Sequence, residues 1–324
     1  TMHISNHLIS PEAAILGGVI ATTLVVVGVV KSRREQHSRK ELALAGVMGA
    51  FIFAAQMFNF PLATIGCSGH LVGGVLLAAL LGPWLGFVTL SGVLALQTLL
   101  FADGGIMALG WNIVNMAAIG ALVVYPLLFR PIVRAGSSPL RTVLAGLLSG
   151  TVAVSLGAAA VVAESAASGI SALPAAEFMG YMLPIHLAIG AIEGLATGLV
   201  LMLIARREPA LLDALRSRCK PLRINFQRVT TRFALASLII GGLFSLVASG
   251  LPDGLEWSIS QTLSGGALEA ASGMQLATEA LQQQMALAPD YEGTFTGLIA
   301  TAAILLFTWI IFGLGTPQPK KIEN

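Results

Sequence analysis

The sequence predicts an all-α polytopic membrane protein with about nine transmembrane helices. Of its 324 residues, 56% are hydrophobic and only 10% are charged, whereas charged residues make up roughly a quarter of an ordinary soluble domain. The mean hydropathy is +0.84. Basic residues cluster at the ends of long apolar runs, and the net charge of +2 is too small to argue for nucleic acid binding.

Nine apolar runs are predicted to cross the lipid bilayer, at residues 13–30, 42–60, 71–81, 84–101, 109–129, 143–163, 178–205, 233–249 and 294–313. Most can span a hydrocarbon core of about 30 Å at about 1.5 Å per residue, although the third run is short. Lys31, Arg33 and Arg34 follow the first run, so the positive-inside rule makes that loop cytoplasmic. The N-terminus is therefore expected outside and the C-terminus in the cytoplasm.

Domain boundaries follow from the strongest basic cluster, residues 206–232, which contains eight Lys or Arg. We expect a seven-helix membrane domain at 1–207, a basic cytoplasmic linker at 208–231 and a two-helix hairpin at 232–324. The outer loop of the hairpin, 250–293, is predicted to be a modest connector. No basic segment precedes the first apolar run, so we expect no cleavable signal peptide.

A histidine lies within chelating reach of the amino terminus. A terminal amine, the backbone nitrogen of His3 and its imidazole can close small fused rings around one metal ion, and a square plane of nitrogens suits Ni(II) or Cu(II). The alternative is a frayed polar terminus.

A second histidine, His70, follows an interrupted stretch with a proline and two glycines. Irregular backbone at membrane depth is tolerated only where protein or a water-filled cavity covers it, so this stretch is expected to line a site. His70 is a metal ligand there or a hydrogen-bonded structural histidine. Cys67 either adds a soft ligand or packs as a small apolar residue.

Polar residues inside the apolar runs are functional candidates. Asn112 and Asn115 could hydrogen-bond a metal-bound imidazole or cross-link helices. His186 and Glu193 lie seven residues apart and so share one helix face. They are expected to form a relay, to support a metal ligand or to hydrogen-bond each other in a helix contact. Asp103, in an Asp-Gly-Gly sequence, is expected to be a turn residue.

Small residues three or four apart, Gly46, Gly49, Ala50 and Ala54, line one face of the second run. Such a face packs either within the subunit or against a partner. The sequence contains no phosphate-binding Gly-x-x-x-x-Gly-Lys-Ser/Thr loop and no nucleophile, base and acid set. We therefore expect no enzyme, and energy for uphill transport would come from a partner or an ion gradient.

Five segments, in order, carry a family resemblance: Met-His-Ile-Ser at 2–5, Gly-Cys-Ser-Gly-His-Leu-Val-Gly-Gly at 66–74, Leu-Gln-Thr-Leu-Leu-Phe-Ala-Asp-Gly-Gly at 96–105, Leu-Gly-Trp-Asn-Ile-Val-Asn-Met at 109–116 and His-Leu-Ala-Ile-Gly-Ala-Ile-Glu-Gly at 186–194. Together they resemble the substrate-specificity subunit of energy-coupling-factor nickel and cobalt importers, the NikM/CbiM family. Pro-Asp-Gly-Leu-Glu at 252–256, beside the two-run hairpin, resembles the small accessory subunit, fused here as in NikMN proteins.

The resemblance implies a metal held by three residues, Met2 through its amine, His3 and His70. Candidate supporting residues are Cys67, Ser68, Asn112, Asn115, His186 and Glu193. The transported substrate would be Ni(II), with Co(II) as the alternative. The implied partners are a membrane-embedded coupling subunit, contacted through Gly46, Ala50 and Ala54, and two cytoplasmic ATPases, in the cytoplasmic membrane of a prokaryote.

Two departures from the family pattern bear on the ligand set. Cys67 stands where a small residue is expected. Thr1 precedes the methionine, and a retained Thr1 would let the terminus fill all four corners of a square plane without His70. Because translation begins with methionine, we expect Thr1 to be a remnant of processing or expression. A secondary transporter or channel without ATPases is the alternative function, but mid-span charges and paired broken helices are not evident.

Overall fold

The computed structural model describes residues 2–62, 64–134, 137–170, 173–207, 226–264, 273–291 and 295–312. The elements in chain order are α1 (Pro11–Arg34), α2 (Arg39–Met57), β1 (Phe60–Leu62), β2 (Cys67–Gly69), α3 (Gly74–Leu81), α4 (Pro83–Phe101), α5 (Leu109–Ile132), α6 (Pro139–Ser168), α7 (Ala175–Arg207), α8 (Phe226–Ile239), α9 (Gly254–Thr262), α10 (Gly273–Met285) and α11 (Thr296–Phe312). Six of these helices, α1, α2, α4, α5, α6 and α7, are long and apolar enough to cross a membrane. The chain is therefore a helical, multi-pass membrane protein, as the composition predicts.

The third predicted crossing differs most from the structure. Helix α3 covers only eight residues, which at about 1.5 Å per residue is roughly 12 Å, less than half the hydrocarbon thickness. Gly73 precedes it with a φ of 86°, a left-handed conformation that glycine adopts without strain. The run at 71–81 is thus a loop followed by a short helix, and the exact number of nine crossings and the sides of the termini stay predictions.

Side-chain caps set the starts of several helices. Ser10 accepts a hydrogen bond from the backbone N–H of Ala13 at the start of α1. Asp253 and Glu256 form a reciprocal capping box on α9, in which each carboxylate accepts the backbone N–H of the other residue, at 2.8 and 3.0 Å. The Pro-Asp-Gly-Leu-Glu sequence therefore has a local role, which is to begin α9 at a fixed point.

Glycines allow α6 and α7 to pack backbone against backbone. A Cβ atom at Gly146 would lie 2.6 Å from Cα of Gly198, and one at Gly198 would lie 2.7 Å from Cα of Val143. Real Cβ atoms do not approach backbone so closely, so these positions require glycine. Close approach of small residues is the usual way that helices associate in lipid.

The two-helix hairpin packs on α2, which both α8 and α11 contact. A Cβ atom at Gly46 would lie 2.5 Å from Cγ2 of Thr308 on α11. Ala50 and Ala54 are fully buried. This face is therefore buried within the chain, and the contact of Gly46, Ala50 and Ala54 with a coupling subunit stays a prediction.

We expect Gly198→Ala to destabilise the protein, because the added methyl group would press on the α6 backbone and overpacking costs about 1–3 kcal/mol. Gly180→Ala in the same helix is the control. Nothing lies within 4 Å of a Cβ there, and replacing glycine in a helix gains up to about 1 kcal/mol. Thermal unfolding in detergent should give a lower Tm for the first variant and an equal or higher Tm for the second. Equal Tm values would contradict the packing argument.

Candidate metal centre

The amino-terminal segment is buried inside the bundle instead of being frayed. Met2 and Ile4 are at most 1% exposed, and His3 is 9% exposed. The thioether of Met2 packs on α6, where a Cβ atom at Gly157 would lie 2.9 Å from its sulfur. Thr1 lies outside the described residues. The burial of this segment therefore includes its histidine.

Asn112 at the start of α5 holds this segment in place. The backbone N–H of Ile4 donates to Oδ1 of Asn112 at 2.8 Å, and Nδ2 of Asn112 donates to the carbonyl of Ile4 at 3.2 Å. The backbone N–H of Gly105 donates to the same carbonyl at 2.8 Å. Asn112 was predicted to bond an imidazole or to cross-link helices, but it fixes the backbone next to His3. Asn115 donates to Glu164 at 2.7 Å and so links α5 to α6.

The tautomer of His70 is fixed by its own loop. Nδ1 lies 2.8 Å from the carbonyl of Leu71, and because a carbonyl only accepts, Nδ1 carries the hydrogen. Nε2 then has the free lone pair, and it is buried without a hydrogen-bond partner among the described residues. Burial is the main cause that lowers the pKa of His70 to about 3. His70 is therefore a neutral imidazole with one nitrogen available, the usual arrangement of a metal-ligating histidine.

The two histidine rings face each other. Their centroids lie 5.3 Å apart at an interplanar angle of 38°. Two imidazoles bound to one ion at about 2 Å per bond would place their centroids roughly 4.5 to 6.3 Å apart, depending on the bond angle. The rings of His3 and His70 are thus close enough to share an ion. No group of three or more His, Cys, Asp or Glu side chains suited to a metal occurs in the described part of the chain.

Glu193 supports the loop that carries His70. This carboxylate is 2% exposed, within α7, and it accepts the backbone N–H groups of Val72 at 2.7 Å and Gly73 at 3.0 Å. From the other side, Nε2 of Gln56 donates to the carbonyl of Val72 at 2.9 Å. The loop is therefore held between α7 and α2. The two backbone N–H groups that it accepts explain why the Glu193 carboxylate is buried in a helix of the membrane domain.

The remaining predicted site residues have separate surroundings. Nδ1 of His186 bonds the carbonyl of Met182 one turn earlier in α7, at 2.7 Å, while both oxygens of Glu193 are used by the loop. Cys67 is a buried free thiol within the apolar core, and burial raises its pKa. Ser68 donates through its hydroxyl to the carbonyl of Leu251 at 2.8 Å. None of these three contacts involves His3 or His70.

Asp103 has a role that the sequence prediction of a turn residue misses. Its Oδ1 lies 2.8 Å from Nδ1 of His3. Burial alone would raise the pKa of Asp103, but the neighbouring His3 ring and a hydrogen bond from Tyr291 hold that pKa below its usual range. The available signal was position, because Asp103 ends an apolar run on the same predicted side as His3.

The accessory segment, defined as residues 250–264 and 273–291, covers the site and is more than a connector. Nε2 of Gln275 donates to the carbonyl of Asn6 at 2.9 Å, and Nε2 of Gln282 donates to the carbonyl of Gly104 at 2.6 Å. The backbone N–H of Ser68 donates to the carbonyl of Pro252 at 2.8 Å. A cavity of about 440 Å³ lies between this segment and the amino-terminal segment, and His3 contributes to its wall.

A multi-pass helical bundle that buries two neighbouring imidazoles has features expected of a membrane protein that handles a metal ion. The chain belongs to the CbiM family, because the profile of the cobalt uptake substrate-specific transmembrane region matches residues 3–211. A profile of the PDGLE domain matches residues 227–316. The predicted resemblance to a fused NikMN-type protein is confirmed.

Named relatives and a solved structure agree with this membership. The fused nickel transport protein NikMN of Rhodobacter capsulatus is 30% identical over 289 residues, which cover 84% of this chain and 80% of the relative. The cobalt transport protein CbiM of Geobacter sulfurreducens is 28% identical over 252 residues, covering 74% and 72%. A crystal structure of a transition metal transporter is similar with a TM-score of 0.57 and 28% identity, covering 67% of this chain and all of that one.

We expect Glu193→Gln to weaken metal binding about tenfold or more, since an amide has one acceptor oxygen where the carboxylate has two, and loss of such supporting bonds typically costs 10–100-fold in affinity. Calorimetric titration with Ni(II) measures the change. Glu177→Gln, at an exposed position of the same helix, is the control and should bind like the unchanged protein. Equal affinity of both variants would show that Glu193 does not position His70.

Proposed function

We propose that this protein is the substrate-binding membrane subunit of an ATP-driven importer that captures Ni(II) from outside the cell. The ligands are the imidazoles of His3 and His70 with the amine and amide nitrogens of the amino-terminal segment, including the Met2 amine of a chain that begins there. The observation that carries the proposal is the pair of buried imidazoles whose centroids lie 5.3 Å apart, together with Nε2 of His70, which lacks a hydrogen-bond partner in the described structure. Burying such groups unpaired is costly, so their retention supports a ligand role.

Nickel is favoured over cobalt by donor chemistry. A square plane of nitrogen atoms suits Ni(II), and the fused relative from Rhodobacter capsulatus is named as a nickel transport protein. Co(II) is the second candidate, supported by the name of the matching family region and by the cobalt transport protein of Geobacter sulfurreducens.

Energy coupling is proposed to come from separate subunits. The chain has no phosphate-binding loop of the P-loop type in its sequence. We therefore assign ATP hydrolysis to two cytoplasmic ATPases joined through a membrane-embedded coupling subunit, in the cytoplasmic membrane of a prokaryote. The domain division at 1–207, 208–231 and 232–324 forms part of this proposal, as does the outward-facing N-terminus.

We expect His3→Ala and His70→Ala to lower Ni(II) affinity by at least about a hundredfold, because each removes a nitrogen donor from a site with few donors. Calorimetry with Ni(II) and Co(II), followed by X-ray absorption spectroscopy to count nitrogen donors, measures the effect and ranks the metals. His37→Ala is the control, because His37 lies at the opposite end of α1 and its Nε2 contacts Glu35 at 3.2 Å. Unchanged Ni(II) binding by purified His3→Ala protein would contradict the proposed site.

We also expect nickel uptake to require ATP. Cells that produce this chain with a coupling subunit and ATPases should accumulate radioactive nickel, and a variant of the ATPases without hydrolysis should reduce accumulation at least about tenfold. The same uptake with and without active ATPases would instead support the secondary transporter or channel.

A further inference from the structure

Helix α10 directs its polar side chains toward the rest of the protein. Gln275 and Gln282 are buried, and both donate to backbone carbonyls of the membrane domain. Glu279 is the one charged residue within Gly273–Met285, and its carboxylate lies 3.1 Å from Nε2 of His7. A helix on a water-exposed surface normally has the opposite distribution, with its polar side chains outward. The outward face of α10 therefore carries no charge.

This outward face has an apolar stripe along one flank. Met274, Leu281 and Met285 are 58%, 53% and 45% exposed. At 3.6 residues per turn, these three positions lie within about 40° of one another around the helix axis. Gln283, which lines the cavity next to the amino-terminal segment, lies about 160° from Leu281. Leu276 is the exposed leucine of α10 outside the stripe. The helix thus separates a polar cavity on one flank from an apolar surface on the other.

Hydrogen bonds place the C-terminal half of α10 beside the last turn of α4. Nε2 of Gln282 donates to the carbonyl of Thr98 at 3.0 Å, and the backbone N–H of Leu287 donates to the carbonyl of Leu100 at 2.8 Å. Helix α4 has 19 residues, which at about 1.5 Å per residue nearly equals a hydrocarbon thickness of about 30 Å. Its last turn therefore lies at the edge of the hydrocarbon core, and α10 lies at the same depth.

The outward face of α10 continues the apolar exterior of the crossing helices. Leu287 is 80% exposed, and Leu96, about one turn before the hydrogen-bonded carbonyl on α4, is exposed as well. Near the other end of α10, Nε2 of Gln275 donates to the carbonyl of Ile9 at 3.2 Å, just before α1 begins. Ile15 in the first turns of α1 is also exposed. A continuous apolar surface at this depth favours lipid as the occupant.

We propose that α10 is an interfacial membrane helix whose stripe of Met274, Leu281 and Met285 lies in the lipid leaflet where α1 begins and α4 ends. Amphipathic helices enter the boundary between headgroups and acyl chains to a depth of about 5–10 Å. Such helices usually present a basic polar face to water, whereas α10 uses its polar face to bind the protein. Since the stripe carries no charge, its contact with lipid requires no anionic headgroup. The proposal concerns the accessory segment and lipid, and it holds whichever metal the protein binds.

Spin labels on single cysteines test this contact in the full chain, reconstituted in phosphatidylcholine vesicles. Leu281→Cys reports on the stripe, and Gln283→Cys, on the cavity flank of the same helix, is the matched control. The chain for both carries Cys67→Ala and Cys219→Ala, so each variant has one cysteine. Dissolved oxygen concentrates in hydrocarbon, whereas chromium oxalate is charged. We expect chromium oxalate to collide with the label at position 281 at least about tenfold less often than at position 283, because charge is excluded from hydrocarbon. Oxygen should collide more often at position 281.

Each other occupant of the stripe gives a different result. Equal collision rates with chromium oxalate at the two positions would overturn the proposal and place this face in water. A label at position 281 that meets neither reagent would also overturn it, and would indicate a protein partner or a second copy of the chain. Met285→Cys gives a second position on the stripe if the Leu281→Cys protein does not fold, and we expect the same lipid signature there. The test uses no metal, so its outcome is independent of the proposed function.

Discussion

The pair of hydrogen bonds between Asn112 and the backbone of Ile4 is the constraint on which the site depends. A segment of irregular backbone is unstable inside an apolar bundle unless its backbone groups find hydrogen-bond partners there, because each unpaired buried group costs about 1–3 kcal/mol. Asn112 satisfies one donor and one acceptor at once. The side-chain amide of Asn112 therefore allows a segment of irregular backbone to lie among helices. It also fixes the position of the neighbouring His3 relative to His70.

The bundle and the histidine pair could be predicted from the sequence, and the contacts between distant segments could not. Apolar runs and glycine breaks are local signals, so they indicated the long helices and the irregular stretch before His70. Hydrophobicity alone could not tell that the run before Leu81 is partly loop, because a buried loop is as apolar as a helix. Tyr291 and Asp103 are 188 residues apart, and no local pattern reports such a pair.

The small residues of α2 also show how far the sequence can predict a contact. Gly46 and its neighbours predict that something packs closely, since small side chains let backbones approach. They do not say what packs, and the occupant is the chain's own α11. The glutamate of α7 is the opposite case: burial of a charge within a membrane signalled importance, and the structure added its partners, two backbone N–H groups of the loop after His70.

The covalent joining of the accessory segment to the membrane domain has a consequence for how the cover behaves. In a complex of separate chains, the fraction of covered sites would fall as the protein is diluted. Here the contacts of Gln275, Gln282 and Tyr291 are intramolecular, so their occupancy is independent of protein concentration and each site has one cover of its own. The ratio of one accessory segment to one metal site therefore stays the same even when the membrane contains few copies of the protein.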